Sequence, residues 1–398
     1  MKILGLNIYH GDASACLIEN NKILIAVEEE RINRIKHSAG FPINSIKYCL
    51  EYTNTDLSEI EYVCINRDTK KNFLRKLLFL LTNKLNLRYL SDRIQKAKKI
   101  LNVEKTFKEN FDKNKINFKV VNVEHHISHL SSAYHLSGFK ESALLSVDGF
   151  GDFVSTMWGS ANKNKINIID KIYFPHSLGI FYSAITQHLG FPNYGDEYKL
   201  MGLSSYGKNN YENKIDKLFK NTSHKFKLDI KYFNHTSNKF HFDFSNNIPK
   251  IGHLFSKEVT EILGYKRLQN EEITQYHKDI AKSAQCVYEN IFFEICNKLY
   301  SYNISENLSL SGGCAQNSVA NGKIFDRTKF KNVYISSASG DAGGALGSVT
   351  SFLSKKNIFF EKQKNSFHGP KFDNTQILNS IKNVKSQLEA KKIKKIEF

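Results

Sequence analysis

Short apolar runs bounded by glycine or asparagine alternate with polar stretches along this sequence, and they predict β-strands joined by turns. The first run, residues 2–8, is followed by a second at 13–20 and a third at 22–30. The second and third meet at Asn21, which predicts a hairpin. A strand, a turn and a hairpin occur in the same order at residues 142–174. This recurrence predicts an internal duplication.

Helical periodicity is clearest in two segments. Apolar side chains recur at helical spacing in residues 125–137, and Gly138 follows as the predicted C-cap. A longer helix is predicted over about residues 270–300, where Ile280 and Val287 lie on one apolar stripe. The chain therefore mixes strands with helices along its whole length.

The order of these elements predicts an α/β protein with two lobes around a cleft. The first lobe covers residues 1–143 and contains a Lys- and Leu-rich, glycine-free insertion at about 69–115. The second covers residues 144–362 and contains a polar, irregular insertion at about 210–265. A linker and a basic C-terminal helix are predicted for residues 363–398.

The 57 Lys and Arg residues against 39 Asp and Glu give a formal net charge of +18. These cations are scattered among Asn and Ile, so we interpret the charge as a compositional bias and not as a nucleic-acid footprint. Residues 73–87 are apolar but contain three cations, which predicts a packed helix, or alternatively a membrane-surface helix, and no bilayer span. Six cysteines without a CxxC pair indicate free thiols, and a cytoplasmic location is expected.

Four residues form a candidate metal site. His125 and His129 are four residues apart, so on a helix both imidazoles lie on one face. Asp148 and Asp341 each follow an apolar strand and could bring a carboxylate to the same place. Two histidines with a carboxylate suit iron(II) and related divalent ions. The alternative is that these histidines are polar helix residues with local hydrogen-bond partners.

Glycine turns after the strands are candidates for nucleotide binding. They lie at residues 148–152, 311–313 and 339–344, and glycine lets the backbone approach a phosphate closely. Neither a Walker A sequence nor a G-x-G-x-x-G fingerprint is present, so the signal is a nucleotide held between two lobes. Lys36 is a candidate anion ligand at the cleft mouth, and the loop with Glu197 is a candidate substrate loop.

Eight segments resemble, in order, the N-terminal part of the O-carbamoyltransferase family, which includes nodulation-protein-U-type and antibiotic carbamoyltransferases. The resemblance runs from residue 2 to about residue 370. It implies the duplicated, ribonuclease-H-like fold of the actin, sugar-kinase and heat-shock-protein superfamily (ASKHA). The segments are LGLNIYHGDASACLI, EEERINRIKHSAGFP, HHISHLSSAYHLSGF, VDGFGD, SLGIFYSAITQHLGF, GDEYKLMGLSSYGK, GGCAQNSVANGKI and SGDAGGALG.

The resemblance also implies roles for individual residues. His125, His129 and Asp341 would hold a divalent metal, with iron as the implied ion and Asp148 close by. His10 would be the general base for a hydroxyl or a donor to the tetrahedral oxyanion, and Lys36 would neutralise the leaving adenylate. The residues expected to bind nucleotide or substrate are Asp12, Gly149, Gly151, Asp152, Glu197, Lys199, Gly312, Gly313, Asn317 and Gly343.

The implied reaction has two steps. A YrdC-like domain makes carbamoyl-adenylate from ATP and carbamoyl phosphate, and the present kind of domain transfers the carbamoyl group to a hydroxyl of a sugar or secondary metabolite. The YrdC-like motif of the GPRALGNRS type does not occur in this sequence, so we expect that domain to act in trans. A split gene, a truncation or a decayed copy are the other readings of that departure.

Two alternative functions remain at this point. One is a tRNA threonylcarbamoyltransferase-like enzyme, which is the nearest kin of the family. The other is a nucleotide-binding remnant without activity. The oligomeric state is left open, with a homodimer as one option.

Overall fold

The computed structural model describes residues 1–82, 100–220, 225–237, 240, 242–360 and 362–390. Parts of both predicted insertions and of the predicted C-terminal helix therefore lie outside the described residues. The predicted lobe boundaries stay predictions; strand β6 begins at Glu141, just before the expected start of the second lobe at residue 144. Among the described residues no helix combines the length and the apolar character needed to cross a bilayer.

The first sheet has five strands in the order β3-β2-β1-β4-β5. Strands β1, β2 and β3 form an antiparallel meander, whereas β4 runs parallel to β1 and β5 parallel to β4. All side chains of β1 after Lys2 are buried, as expected for a central strand with both faces covered. The strands are β1 (Lys2–Asn7), β2 (Ser14–Glu19), β3 (Lys22–Glu28), β4 (Ile60–Ile65) and β5 (Lys119–Asn122).

The second sheet repeats this topology. Its order is β14-β13-β6-β7-β8, so β6 takes the central place that β1 has in the first sheet. Strands β6 to β8 are antiparallel, and β13 and β14 are parallel to β6. The predicted duplication and the α/β class are thereby confirmed. The strands are β6 (Glu141–Gly151), β7 (Val154–Asn162), β8 (Lys165–Tyr173), the short β9 (Phe219–Lys220), β10 (Lys227–Leu228), β11 (Phe242–Asp243) and β12 (Lys250–Ile251), then β13 (Asn307–Ser311) and β14 (Asn332–Ile335).

The helices connect these strands and cover the sheets. The predicted histidine-containing helix is observed, and Gly138 ends it with a left-handed φ of 76°. The described helices are α1 (Glu29–Asn33), α2 (Ile43–Tyr52), α3 (Phe73–Thr82), α4 (Val103–Asn110), α5 (His125–Ser137), α6 (Leu178–His188), α7 (Glu197–Leu203), α8 (Glu212–Ile215), α9 (Lys257–Leu263), α10 (Gln275–Ser301), α11 (Ser318–Asn321), α12 (Ile324–Arg327), α13 (Gly344–Lys355) and α14 (Asn374–Ala390).

Two helices exchange places between the sheets. Helix α5 follows the first sheet in the chain but packs on β6 and β13 of the second, whereas α13 follows the second sheet and packs on β1 and β4 of the first. The two helices also pack against each other, and a Cβ on Gly347 would lie only 1.9 Å from the carbonyl oxygen of Ser128. The histidines of α5 are therefore held in the middle of the molecule, between the two sheets.

The second insertion contributes to the core more than its polar composition indicates. It forms short strands and turns whose apolar side chains, such as Leu228, Phe233 and Leu254, are buried in the main hydrophobic cluster with α6 and α10. The apolar residues are few but spaced so that each short element buries one or two. This part of the chain is thereby fixed to the second sheet.

Candidate active site

A cavity of about 1130 Å³ opens between the two lobes. The loop after β1 brings His10 to it, and the ends of β6 and β13 bring Asp148 and Gly313. Asp341 reaches the same cavity from the turn between β14 and α13. Ligand sites commonly form at the carboxyl ends of parallel strands, where several loops meet.

Four buried side chains converge beside this cavity: His125, His129, Asp148 and Asp341. One donor atom from each lies within 4.8 Å of every other. The two Nε2 atoms of the histidines are 3.0 Å apart, and Oδ2 of Asp148 is 3.1 Å from Nε2 of His125. Oδ1 of Asp341 lies 3.4 Å from both Nε2 atoms. The fold thus brings together four side chains that are up to 216 positions apart, from His125 to Asp341.

Backbone contacts fix the start of α5 and hence the direction of its histidines. The Glu124 carboxylate caps the helix by accepting a hydrogen bond from the Ile127 amide. Oδ2 of Asp152 accepts from the amide of His125 at 3.0 Å and from the amide of Asp68 at 2.8 Å. A carboxylate at a helix N-terminus satisfies unpaired amides and complements the helix dipole. Asp152 therefore positions the metal-site helix.

The electrostatics of the cluster favour its charged forms. Burial lowers the pKa of His125, but the hydrogen bonds and negative charges of Asp148 and Asp341 outweigh it and raise the pKa to about 10. Burial raises the pKa of Asp148, as does the charge of Asp341, yet the two histidines hold it well below its usual range. Burial also raises the pKa of Asp341, and the opposing contacts with His10 and both cluster histidines again bring it well below that range.

The cluster fits a divalent cation. Oδ1 of Asp341 is buried and accepts no hydrogen bond within the described part of the chain. Two imidazole nitrogens at 3.0 Å from each other need a shared proton or a shared cation between them. Nitrogen and carboxylate donors in this combination suit iron, manganese or zinc. The same four residues are the metal ligands that the sequence predicted, and their role stays a prediction.

Two histidine–aspartate pairs face the cavity. Nδ1 of His10 is hydrogen-bonded to Oδ2 of Asp341. Nδ1 of His37 is hydrogen-bonded to Oδ1 of Asp12 at 2.7 Å. Burial lowers the pKa of His37, but the contact with Asp12 outweighs it, so the pKa is raised. His37 is a site residue that the sequence indicated only through its place next to Lys36 in the EEERINRIKHSAGFP segment.

Several of the other predicted binding residues line the cavity. Lys36 is exposed at its mouth, with its ammonium 5.2 Å from the centre of the Tyr198 ring. Burial raises the pKa of Glu197, although the hydroxyl of Ser183 donates a hydrogen bond to it. The predicted nucleotide and substrate residues in the cavity wall are Asp12, Gly149, Glu197, Gly313 and Asn317.

The remaining predicted binding residues, besides Asp152, lie outside the cavity wall, and the structure shows another reason for each. A Cβ on Gly151 would collide with the ring of His125 at 2.0 Å. A Cβ on Gly312 would lie 2.2 Å from the Val147 carbonyl oxygen, and one on Gly343 would lie 1.9 Å from that of Ala338. The ammonium of Lys199 forms an ion pair with Asp196 at 2.7 Å. These glycines therefore permit close backbone packing around the site.

The cavity wall also contains residues that the sequence did not single out. Tyr182 donates to the side-chain oxygen of Gln285, whose amide nitrogen in turn donates to Asn317. This network holds the wall between α6 and α10. The second insertion contributes a set of mainly apolar residues that is hard to recognise in a polar segment: His235, Phe240, Phe242, Asp243, Phe244, Asn247, Ile251 and Leu254.

Solved structures with a similar arrangement are distant. Component A of (R)-2-hydroxyglutaryl-CoA dehydratase from Acidaminococcus fermentans has 11% sequence identity and a TM-score of 0.45, over 90% of this chain and 99% of that one. HypF from T. kodakarensis has 11% identity and a TM-score of 0.44, over 90% of this chain and 48% of that one.

Sequence relatives are much closer. An uncharacterised protein of Synechocystis is 35% identical over 96% of this chain and 62% of its own length. The nodulation protein NolNO of Sinorhizobium fredii is 32% identical over 86% of this chain and 46% of its own length. This chain thus spans roughly half to two thirds of these relatives.

The family comparison agrees with the resemblance found in the sequence. Residues 2–350 match the family described as Carbamoyltransferase N-terminus. The matched range includes both sheets, helix α5, Asp148, Asp341 and His10. The chain is a member of the carbamoyltransferase family and contains its N-terminal part.

Proposed function

We propose that this chain carries out the transfer step of an O-carbamoylation, moving the carbamoyl group of carbamoyl-adenylate to a hydroxyl of a sugar or secondary metabolite. The observation that carries the proposal is the cluster of His125, His129, Asp148 and Asp341 next to His10 in a cavity between two lobes. Family membership and the similarity to NolNO support the same reaction class.

In the proposed reaction the acceptor oxygen attacks the carbamoyl carbon of carbamoyl-adenylate. The new carbon–oxygen bond forms, the bond from the carbamoyl carbon to the phosphate oxygen breaks, and AMP leaves. The hydroxyl proton passes to Nε2 of His10. Because a carboxylate only accepts hydrogen bonds, the contact with Asp341 keeps the proton of neutral His10 on Nδ1 and leaves Nε2 basic. His10 is therefore suited to act as a general base.

The surrounding residues would orient the reactants. Lys36 at the cavity mouth would neutralise the phosphate of the leaving AMP. Gly149 and Asn317 would line the nucleotide, whereas the amide of Gly313 already donates to Oδ1 of Asp148 at 2.9 Å. A divalent metal held by His125, His129, Asp148 and Asp341, with iron(II) as our proposal, would supply Lewis-acid stabilisation of negative charge. Burial of the four ligands would exclude water from it.

Carbamoyl-adenylate would come from a YrdC-like domain that uses ATP and carbamoyl phosphate. The test supplies this intermediate directly, or adds such a domain with both substrates, to the metal-loaded chain and a panel of hydroxyl acceptors. Mass spectrometry of the acceptors then detects carbamate esters. A carbamoylated acceptor that forms only with the chain present supports the proposal. Unchanged acceptors across the panel, with carbamoyl-adenylate bound and intact, would contradict it.

A further inference from the structure

One side of the cavity is built almost entirely from aromatic rings. The rings of Phe150 and Phe174 have centroids 4.9 Å apart, and those of Phe242 and Phe244 are 4.5 Å apart. All of them line the cavity, and together they form a continuous apolar surface on which a ligand could stack. We call this surface the aromatic wall and define it as Phe150, Phe174, Tyr194, Phe240, Phe242 and Phe244.

The aromatic wall begins at the reaction centre. Phe150 follows Asp148 by two positions in the same strand. On the other side of the cavity, the ring of Tyr194 contacts His37 edge-on at 5.3 Å and Phe242 at 6.1 Å. The rings therefore extend from the polar residues of both lobes towards the second insertion. A molecule lying on the wall would have one end beside the histidines.

Charge is distributed unequally along the cavity. The ionisable groups Asp12, Lys36, His37 and Glu197 lie in the polar part of its wall. At the aromatic wall, burial lowers the pKa of His235 to about 4, so this imidazole is neutral near pH 7. The carboxylate of Asp243 is exposed. The aromatic end thus favours an uncharged, apolar group, because burying a charge there would be unfavourable.

The wall is held across the cleft by contacts with the first lobe. The amide of Ala39 donates to the carbonyl oxygen of Asn247 at 2.8 Å. The Asn247 side chain also approaches Gly40, whose φ of 111° suits glycine and where a Cβ would lie 2.7 Å from Oδ1. The second insertion therefore spans both lobes and closes one end of the cavity. Its aromatic rings lie within the enclosed space.

The cavity is large enough for two ligands. Its volume of about 1130 Å³ exceeds the roughly 300–1,000 Å³ that is usual for the site of one small molecule. The glycine turn at Gly313, with Cys314, Asn317 and Met201, forms a separate part of the wall on α7 and after β13. The nucleotide fits this separate part, which leaves the aromatic wall for the acceptor.

We propose that the aromatic wall binds the apolar portion, an aromatic ring or alkyl chain, of the hydroxyl-bearing acceptor. This inference rests on the proposed carbamoyl transfer and specifies its substrate class. The acceptor is amphipathic: its hydroxyl points to His10, and its apolar portion stacks on the rings. Small acceptors with hydroxyls alone leave the wall uncovered and bind more weakly.

The test measures binding and is independent of catalysis. Phenyl and methyl β-D-glucopyranoside have the same sugar hydroxyls and differ only in the apolar group, so their dissociation constants are compared by ligand-observed NMR. We expect the phenyl compound to bind about tenfold more tightly, the gain expected from one buried aromatic contact. Phe242→Ala removes that preference, whereas Phe325→Ala, at an exposed ring away from the cavity, retains it.

A second arm identifies the occupant. Saturating AMP leaves the phenyl compound bound if the wall belongs to the acceptor. Displacement by AMP would overturn the inference, because it would assign the wall to adenine. Equal affinity of the two glucosides, or no detectable binding of either, would also overturn it. Since no carbamoyl transfer is measured, such a result would leave the proposed reaction to its own test.

Discussion

Gly151 packs directly against the imidazole ring of His125. A Cβ built on this glycine would lie 2.0 Å from Cγ and Cδ2 of the ring, a distance that real side chains do not adopt. The glycine therefore lets strand β6 approach the metal-site helix, and Asp152, the next residue, fixes the helix by accepting from the His125 amide. The DGFGD turn thus supports the candidate metal site as well as the cavity.

This contact predicts the effect of Gly151→Ala. The added methyl group must displace the His125 ring from its position beside Asp148 and Asp341, so we expect metal affinity to fall at least about tenfold. The matched control is Gly149→Ala in the same turn, where a Cβ meets nothing within 4 Å. Metal content after equilibrium dialysis is the measurement. Equal retention of metal by the two variants would show that the ring position is unimportant.

His10→Ala should separate binding from chemistry. The substitution removes the proposed proton acceptor, so transfer should fall by a factor of about 10² to 10⁴. Binding of AMP, measured by calorimetry, should change little because His10 lies at the Asp341 side of the cavity. His10→Gln is the paired variant, since it keeps a polar side chain without a base. A His10→Ala chain that transfers at the normal rate would remove His10 from the mechanism.

The close contact of α5 with α13 predicts a stability defect in Gly347→Ala. The new Cβ would lie 1.9 Å from the Ser128 carbonyl oxygen, so the helices must separate. Overpacking of this kind costs about 1–3 kcal/mol. Gly202→Ala in α7 is the control, because its Cβ would meet nothing within 4 Å. Urea unfolding gives both free energies, and similar values for the two variants would contradict the packing argument.

Stability should fall as the pH decreases from about 6.5 to about 4. Burial, followed by the charges of His277 and Lys266, lowers the pKa of His188 from 6.5 to about 4. In that pH range the unfolded chain binds a proton that the folded chain excludes, so protonation favours unfolding. His188→Leu should reduce the slope of unfolding free energy against pH by up to about 1.4 kcal/mol per pH unit. An unchanged slope would show that His188 does not titrate in this way.

Local pattern was sufficient to predict much of this fold. Strand and helix periodicity depends on neighbouring residues, so α5, its Gly138 cap and the duplicated hairpins could be recognised in the sequence. The exchange of α5 and α13 between the sheets could not, because it depends on contacts between distant segments. The histidine spacing and the strand-end aspartates likewise indicated one cluster, which the fold assembles.

The misassigned residues have a common physical cause. Gly312 and Gly343 were expected to approach a nucleotide, yet both are required by close contacts within the protein backbone. A sequence shows that glycine is present but not which neighbour lies against it. The aromatic residues of the second insertion were missed because they are dispersed among polar residues. Only the folded chain gathers them on one side of the cavity.

The central claim is that His125, His129, Asp148 and Asp341 bind one divalent metal. The most direct test is metal content, measured by mass spectrometry after anaerobic reconstitution with iron(II), of the unaltered chain, His129→Ala and His126→Ala. His126 lies on the same helix but is hydrogen-bonded to Ser146 and to the Val154 carbonyl oxygen, so it is the matched control. Circular dichroism checks the fold of each variant.

We predict one bound ion in the unaltered chain and in folded His126→Ala, and almost none in folded His129→Ala. Loss of metal in His129→Ala alone would establish that the cluster is the binding site. Equal metal content in both variants, or no metal in the unaltered chain, would contradict the account.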